Sequence, residues 1–511
     1  MDCALKDLPN EIEPLKEMVY LRDEEIELLR EQVRLLKAKL YQPKSEKGIY
    51  LVGQEELFPH SETAADQPAG KPDGKETVKA HKRKRKSRKF PDDIERRVEL
   101  IDIPDEEKNC CGIQMAIIDN EVTEKLVYKK AECYVLEITR PKRACLLCEG
   151  LETEGPTVKV APLPAQIIPK SFATPSLLAH IFTSRFVDAL PYYRQVAQFA
   201  RLGVEVSRAN MSNWALQISA KCLPLLELLK QTARAGPMIG IDETVIQVLR
   251  EPGRADNTKS YMWVIRGGPP TAPILLFQYH PTRSGKFARQ LLEGYQGYVQ
   301  TDGYVAYDFL DKVSGVFHLG CWAHVRRKFV AVIKAQGKNK KRKSNNAGRI
   351  VRLIKELYAI EKQARKDELS DEDLLNLRQR SAKPVLDKIK ALLDDLNGKV
   401  PPKALLGNAI NYALDNWARL VIYLDQPFLT PDNNLVENAI RPFVIGRKNW
   451  MFAGSPAGAK ANAVFYTLIE TAKANGWSPY TYLNFLLERL ANAHSEEDYL
   501  ALLPTNPPIT E

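Results

Sequence analysis

Between residues 10 and 42 apolar side chains recur in alternating steps of three and four: Ile12, Leu15, Val19, Ile26, Leu29, Val33, Leu36 and Leu40. Arg22 alone interrupts the seam, and Glu, Lys and Arg fill the positions between. This heptad predicts a long helix, and Pro14 falls where a first turn tolerates proline. β-branched residues occupy most of one seam position and leucines most of the other, which favours a two-stranded coil and hence self-association. An amphipathic helix packed on its own chain has the same pattern. From residue 43 to 95 the apolar period disappears into Pro, Gly, Ser, Lys and Asp, the composition of an extended linker.

Further along, the period changes twice. Residues 96–155 carry short strand-like text around Tyr128, Tyr134, Val135 and Ile138. Residues 171–232 read as helices. Leu177 to Phe182 lies in one and Tyr192 to Ala200 in a second. Gly203 then turns the chain and Ser207 caps a third helix running to Ala220. Helix, glycine turn and capped helix is helix-turn-helix text, with Ser207, Arg208, Asn210 and Asn213 as candidate DNA contacts. A plain helical bundle shares the pattern.

From residue 238 strands take over. Met238–Leu249, Ser260–Ile265 and Ala272–Tyr279 are separated by short gaps rich in Gly and Pro, which predicts an antiparallel meander. A helix over Phe287–Leu292 follows, then a fourth strand over Tyr298–Gly303 and a fifth over Val316–Cys321. Lys328–Pro431 returns to helical, lysine-rich text around 350–364 and 382–396.

Composition narrows the partners. The chain has 511 residues, 44% of them apolar, enough to build real cores. Its 74 Lys and Arg against 64 Asp and Glu leave a net charge of +10. Much of the excess is gathered at His81–Lys89, where Lys82, Arg83, Lys84, Arg85 and Lys86 form a run suited to sequence-blind phosphate contacts. A solvated tail and a nuclear targeting signal look alike at this level. No opening apolar run and no membrane-length segment is visible, which suggests a soluble protein of a reducing compartment such as the cytoplasm. In such a reducing compartment paired cysteines suggest metal before disulfide. Cys110 and Cys111, then Cys145 and Cys148, predict a zinc-ribbon-like module. The second pair has knuckle spacing; the first is adjacent, which strains joint ligation. A zinc-less remnant of such a module is the alternative.

The candidate chemistry is acidic. Asp242 sits in the first strand and Asp302 at the end of the fourth. The order of three strands, helix, strand, helix and strand resembles the ribonuclease-H-like arrangement, in which strands one and four are neighbours. Carboxylates crowded together repel unless a cation neutralises them, and Mg²⁺ prefers such hard oxygen donors. A third acid comes from the helix starting at Pro431-Asp432, where Glu437 lies in the first turns. Two metals held in this way activate the attacking oxygen and stabilise the leaving one.

Four blocks, "IGIDET", "VQTDGYVAYD", "GCWAHVRRKF" and "DNNLVENAIRPFVIGRKNWMFAGSPAGAKA", make residues 90–490 similar to transposases of the bacterial insertion-sequence 66 family. The resemblance implies an Asp-Asp-Glu catalytic domain mapping onto Asp242, Asp302 and Glu437, with a zinc-finger-like module and helices upstream. The sequence departs from the family at the first cysteine pair, where the usual spacing would put a cysteine near Lys108.

The expectation is a multidomain α/β chain. A coiled coil (1–45), a basic linker (46–95), a zinc-ribbon-like module (96–155) and a helix-turn-helix domain (156–235) precede the catalytic part. A ribonuclease-H-like catalytic domain (236–330 and 401–480) is interrupted by a helical insertion (331–400) and followed by a helical tail (481–511). The Cys321-x-x-His324 pair would lie near the active site as a DNA contact or as packing, since one Cys and one His do not make a metal site. Arg326, Arg327 and Lys328, with Arg447 and Lys448, are candidate phosphate clamps. Arg441, four residues after Glu437, is placed to pair with it in the absence of metal. Trp450 is placed either to stack on an unpaired base or in the core. The expected partners are double-stranded DNA at transposon ends and target, a second copy of the chain, and accessory proteins of the same element. The expected reaction frees a 3′-hydroxyl at each end and joins it to target DNA. A silent DNA-binding regulator and a plain nuclease are the rival readings.

Overall fold

The structure is a computed structural model. It describes residues 158–335 and 346–505, together with residues 109–110, 113–114 and 133–144 and helical positions between 19 and 37. Lys82, Arg83, Lys84, Arg85, Lys86, Cys111, Cys145 and Cys148 lie outside the described residues, so the basic run and the zinc-ribbon reading do too. The chain divides into two compact units, Pro59–Thr139 and the remainder. In the smaller unit Asn109–Cys110 and Ile113–Gln114 pair as a short antiparallel hairpin. Tyr134, Val135 and Ile138, expected in a strand, lie in irregular, exposed chain.

In the larger unit the described positions of the N-terminal heptad are helical, and Val19, Ile26, Leu29, Val33 and Leu36 are all exposed. Four helices then precede the sheet: α1 (Pro175–Phe186), α2 (Tyr192–Arg201), α3 (Arg208–Lys221) and α4 (Leu223–Ala235). Gly203 takes φ +79° in the turn after α2. Ser207 Oγ caps α3 by accepting from Asn210 N at 3.1 Å. Glycine adopts that left-handed turn without a Cβ penalty, and the serine satisfies one of the orphan N–H groups of the helix start.

The central sheet contains β1 (Met238–Val248), β2 (Lys259–Gly267), β3 (Ile274–His280), β4 (Gly297–Gln300), β5 (Val316–Leu319) and the short β6 (Phe452–Ala453). Their order is 3-2-1-4-5, with β6 alongside the far end of β1. The first three strands form the expected antiparallel meander, and β4 and β5 run parallel to β1. Helix α5 (Gly285–Leu291) links β3 to β4. The connection from β4 to β5 is a 3₁₀ segment, Val305–Lys312, rather than an α-helix.

After β5 come α6 (Trp322–Ala335), α7 (Asn346–Lys366), α8 (Asp371–Leu377), α9 (Lys383–Leu396), α10 (Leu405–Asp415) and α11 (Trp417–Val421). Their apolar faces close one core that includes Phe329, Ile354, Ile389, Ile410 and Leu429. The helical core continues past residue 400 through α10 and α11, and α11 also meets the end of β5, where Gly320 N–H donates to the Arg419 carbonyl at 3.0 Å. A short π-helical segment, Arg378–Ala382, joins α8 to α9.

The chain returns to the sheet through α12 (Asn434–Trp450), α13 (Pro456–Ala474) and α14 (Pro479–Arg489), with α15 (Glu496–Ala501) last. A second core unites these with α1–α4 and the sheet. Phe186 of α1 stacks on Phe465 of α13 at 4.8 Å, and Tyr482, Leu483, Leu486 and Leu487 of α14 are buried. The helices before residue 235 and those after 480 thus share one core with the sheet. Among the described residues no helix is long and apolar enough to cross a membrane.

Candidate active site

The sheet register brings the first two acids together. β1 and β4 pair in parallel with Met238 opposite Tyr298, Ile239 opposite Val299 and Gly240 opposite Gln300. The same offset of sixty separates Asp242 from Asp302, two residues beyond the last pair, and the Asp302 charge is felt at Asp242. Adjacent strands lie about 4.8 Å apart, so two carboxylates from one register position share a small volume. β4 ends at Gln300, and Asp302 occupies the turn just beyond it. Gly303 makes that turn at φ +77°, and a Cβ there would meet the Tyr412 hydroxyl at 2.5 Å. Tyr412 in turn donates to the Asp302 carbonyl at 2.7 Å, so α10 of the helical body holds the turn.

Glu437 arrives on the first turn of α12. This helix packs directly on β1 because Gly240 has no side chain: a Cβ there would lie 2.4 Å from Val436 Cγ2. Asn433, at the N-cap position, donates from Nδ2 to the Ile241 carbonyl at 3.1 Å. One glycine and one asparagine therefore seat Glu437 over the strand that carries Asp242.

Burial pushes Asp242 up to about 7, and the charges of Glu243, Asp302 and Glu437 push the same way against one backbone hydrogen bond from Glu243. Burial also raises Glu243, opposed by the Tyr307 hydroxyl and the Arg283 guanidinium that bind it. Arg283 reaches Asp302 as well, at 3.7 Å, and lies 3.8 Å over the Tyr304 ring. Glu437 is paired with Arg327. Two guanidinium groups thus occupy positions beside Asp302 and Glu437. The three acids are hard donors of the kind Mg²⁺ takes, and their mutual repulsion is relieved by such an ion. Among the described residues, the donor cluster tight enough for a single ion is a different one: Cys321, His324 and Glu437.

The raised Asp242 carboxyl has a stability consequence. Its folded value lies above its ordinary value of 3.8, so ionising it disfavours the folded state. The deficit is absent below the ordinary value and complete above about 7. Asp242→Asn should therefore stabilise the chelator-treated protein at pH 8 by roughly 2 kcal/mol, about half the full shift because the side chain keeps some solvent access. The gain should shrink steadily as pH falls from 7 toward 4. Thermal unfolding at pH 8 and pH 5 measures it; a variant less stable than the parent at pH 8 would contradict the strain.

The other expected residues separate into two groups. On α12, Arg441 and Lys448 are exposed and lie four and eleven residues after Glu437, on its face of the helix. Arg447 donates to Thr244 Oγ1 at 3.1 Å, two residues along β1 from Asp242. Ser207, Arg208 and Asn213 are exposed at the start of α3, with Asn210 half-buried. The remaining expectations need correction. Arg441 does not pair with Glu437; Arg327, from α6, does. Arg326 is buried at 9% exposure and cannot offer an open phosphate clamp with its neighbours. Successive helix residues point about 100° apart, so the triplet splits: Arg326 inward, Arg327 to Glu437, and Lys328 over the Tyr412 ring at 4.3 Å. Trp450 is core, edge-on to Phe443 at 5.6 Å. Glu243, Arg283 and Tyr307 were not singled out from sequence. The acidic pair at Asp242-Glu243 was the available signal for the first of them.

The family profile described as Transposase IS66 family matches residues 170–461, and that of the IS66 C-terminal element matches residues 467–505. Among similar proteins of Sinorhizobium fredii, the uncharacterized protein y4jD is 33% identical over 78% of this chain and 77% of its own length. The uncharacterized protein y4qI is 30% identical over 97% of this chain and 92% of its own. The first profile spans more than half the chain, and it contains β1, β4 and α12 with all three acids: the chain belongs to the IS66 family of transposases.

Proposed function

We propose that the chain binds transposon-end DNA, cuts it and joins the freed 3′-hydroxyl to target DNA, with Mg²⁺ held by Asp242, Asp302 and Glu437 on a ribonuclease-H-like core. The observation that carries this reading is the parallel register of β1 and β4, with α12 seated on Gly240. When bound, a pair of such ions supplies activation of the attacking oxygen and stabilisation of the leaving one.

The protein's own groups do the rest. Asp242 gives up any proton it holds as the site charges. Arg283 and Arg327, released from Asp302 and Glu437, become available to phosphate oxygens. Arg441 and Lys448 line the face that presents Glu437, which suits a DNA backbone laid along α12. Arg447 fixes α12 against β1 through Thr244. The exposed Ser207, Arg208 and Asn213, with Asn210, fit end recognition by α3. The exposed heptad seam fits pairing with a second copy. Removing residues 1–45 should then abolish self-association in sedimentation, and an unchanged assembly would argue against it. Zinc on Cys110, Cys111, Cys145 and Cys148, and accessory proteins of the same element, remain part of the proposal.

The test is a labelled end-DNA duplex incubated with the full chain, Mg²⁺ and a target plasmid. New 3′ ends and end–target joints are expected. Cleavage without joints would make the chain a nuclease, and binding without either would make it a regulator.

A further inference from the structure

Cys321 stands immediately before α6, and His324 follows one turn later on the same face. Glu437 meets them from the first turn of α12, whose N-cap residue Asn433 donates its backbone N–H to Cys321 Sγ at 3.3 Å. One sulfur, one ring nitrogen and one carboxylate oxygen all lie within 4.8 Å of one another. Zn²⁺ bonds such donors at about 2.0–2.3 Å in tetrahedral geometry, so they need only small shifts to close on one ion. Two of the donor atoms lack a hydrogen-bond partner. His324 Nδ1 and Glu437 Oε1 are shielded from solvent, make no hydrogen bond and face each other at 3.8 Å. The set is far softer than three carboxylates, and thiolate with imidazole selects Zn²⁺ over Mg²⁺.

We propose that Cys321 Sγ, His324 Nδ1 and Glu437 Oε1 form a site for a thiophilic divalent cation, Zn²⁺ above all, whose binding withdraws Glu437 from the catalytic acids and stops strand cleavage. The cation replaces the Cys321 thiol proton, which leaves to solvent. Arg327 Nη1, which donates to His324 Nε2 at 2.9 Å, turns away so that Nε2 carries the ring proton while Nδ1 binds. The inhibitory effect rests on the catalytic reading of Glu437.

Co²⁺ reports on the site, because a thiolate bound to it gives a near-ultraviolet charge-transfer band. The full, metal-stripped chain is titrated with Co²⁺ beside Cys321→Ser, His324→Ala and Asp302→Asn. The parent should show a band component missing from Cys321→Ser. His324→Ala keeps all eight cysteines and should lose the same component, so the ribbon cysteines cannot imitate it. Asp302→Asn should retain it. Identical spectra for the parent and His324→Ala would overturn the site, as would its loss in Asp302→Asn. In the cleavage assay at fixed Mg²⁺, His324→Ala should need at least about tenfold more Zn²⁺ for half-inhibition, measured against its own activity. Equal sensitivity would overturn the inhibitory role. A chain that cleaves no DNA leaves the spectral result standing and refutes the catalytic reading alone.

Discussion

Asp302→Asn and Glu437→Gln should each lose strand cleavage and joining by at least about a thousandfold, corresponding to ~4 kcal/mol of transition-state stabilisation. Each amide nearly preserves shape and removes a charge that the cations need. Binding to end DNA should persist, because Arg208, Asn213, Arg441 and Lys448 stand on other residues of α3 and α12. Retardation of a labelled duplex and the count of new 3′ ends separate the two effects. Full cleavage by Glu437→Gln alone would mean that another residue is the third acid. Full cleavage by both variants would remove the metal site from the account.

Loss of Arg378 should strongly destabilise the helical body. Its side chain is 1% exposed at the π-helical junction before α9. Nε and Nη2 grip the Glu361 carboxylate at 2.9 and 2.8 Å. Nη1 donates to the Tyr423 and Gln426 carbonyls, and Nη2 also to that of Leu429, each at 2.8 Å. Arg378→Ala would strand a largely buried carboxylate and three carbonyls, a loss of roughly 3–5 kcal/mol. Arg378→Lys should recover little, since an ammonium cannot reproduce the fork. The segment anchored at Leu429 runs directly to Asn433 and Glu437. Cleavage should therefore fall in the folded fraction as well, while end binding through α3 persists. Chemical unfolding of both variants checks the magnitude; a lysine variant as stable as the parent would show that the fork carries no weight.

The strands were legible because their apolar text is broken by Gly and Pro at short intervals; the two acids were legible because one lies on β1 and the other just past β4, strands that topology makes neighbours. Glu437 was legible as a helix-start acid and through the family blocks. What escaped was set by tertiary contacts. Arg441 has the local i, i+4 spacing to pair with Glu437, yet Arg327 reaches that carboxylate from α6, over a hundred residues away. Arg283 lies in loop text before a capped helix, and nothing nearby in sequence says that it bridges Glu243 and Asp302. The Arg326-Arg327-Lys328 triplet looked like one clamp because it was read as a string; read as a helix, its members diverge. The reach of the helical body past residue 400 depends on which core α10 and α11 bury, which periodicity alone does not decide. Glu437 beside Cys321 and His324 was likewise invisible, because the three come together only when α12 packs across the start of α6.

The central claim is that Asp302 binds the catalytic cation directly, and a change of donor tests it. Asp302→Cys is assayed on end DNA with Mg²⁺ and then with Mn²⁺, which tolerates a sulfur ligand better than Mg²⁺ does. No cleavage is expected in Mg²⁺, partial recovery in Mn²⁺, and no recovery by Mn²⁺ in Asp302→Ala. Equal cleavage of Asp302→Cys in both metals, or recovery of the alanine variant by Mn²⁺, would contradict the claim.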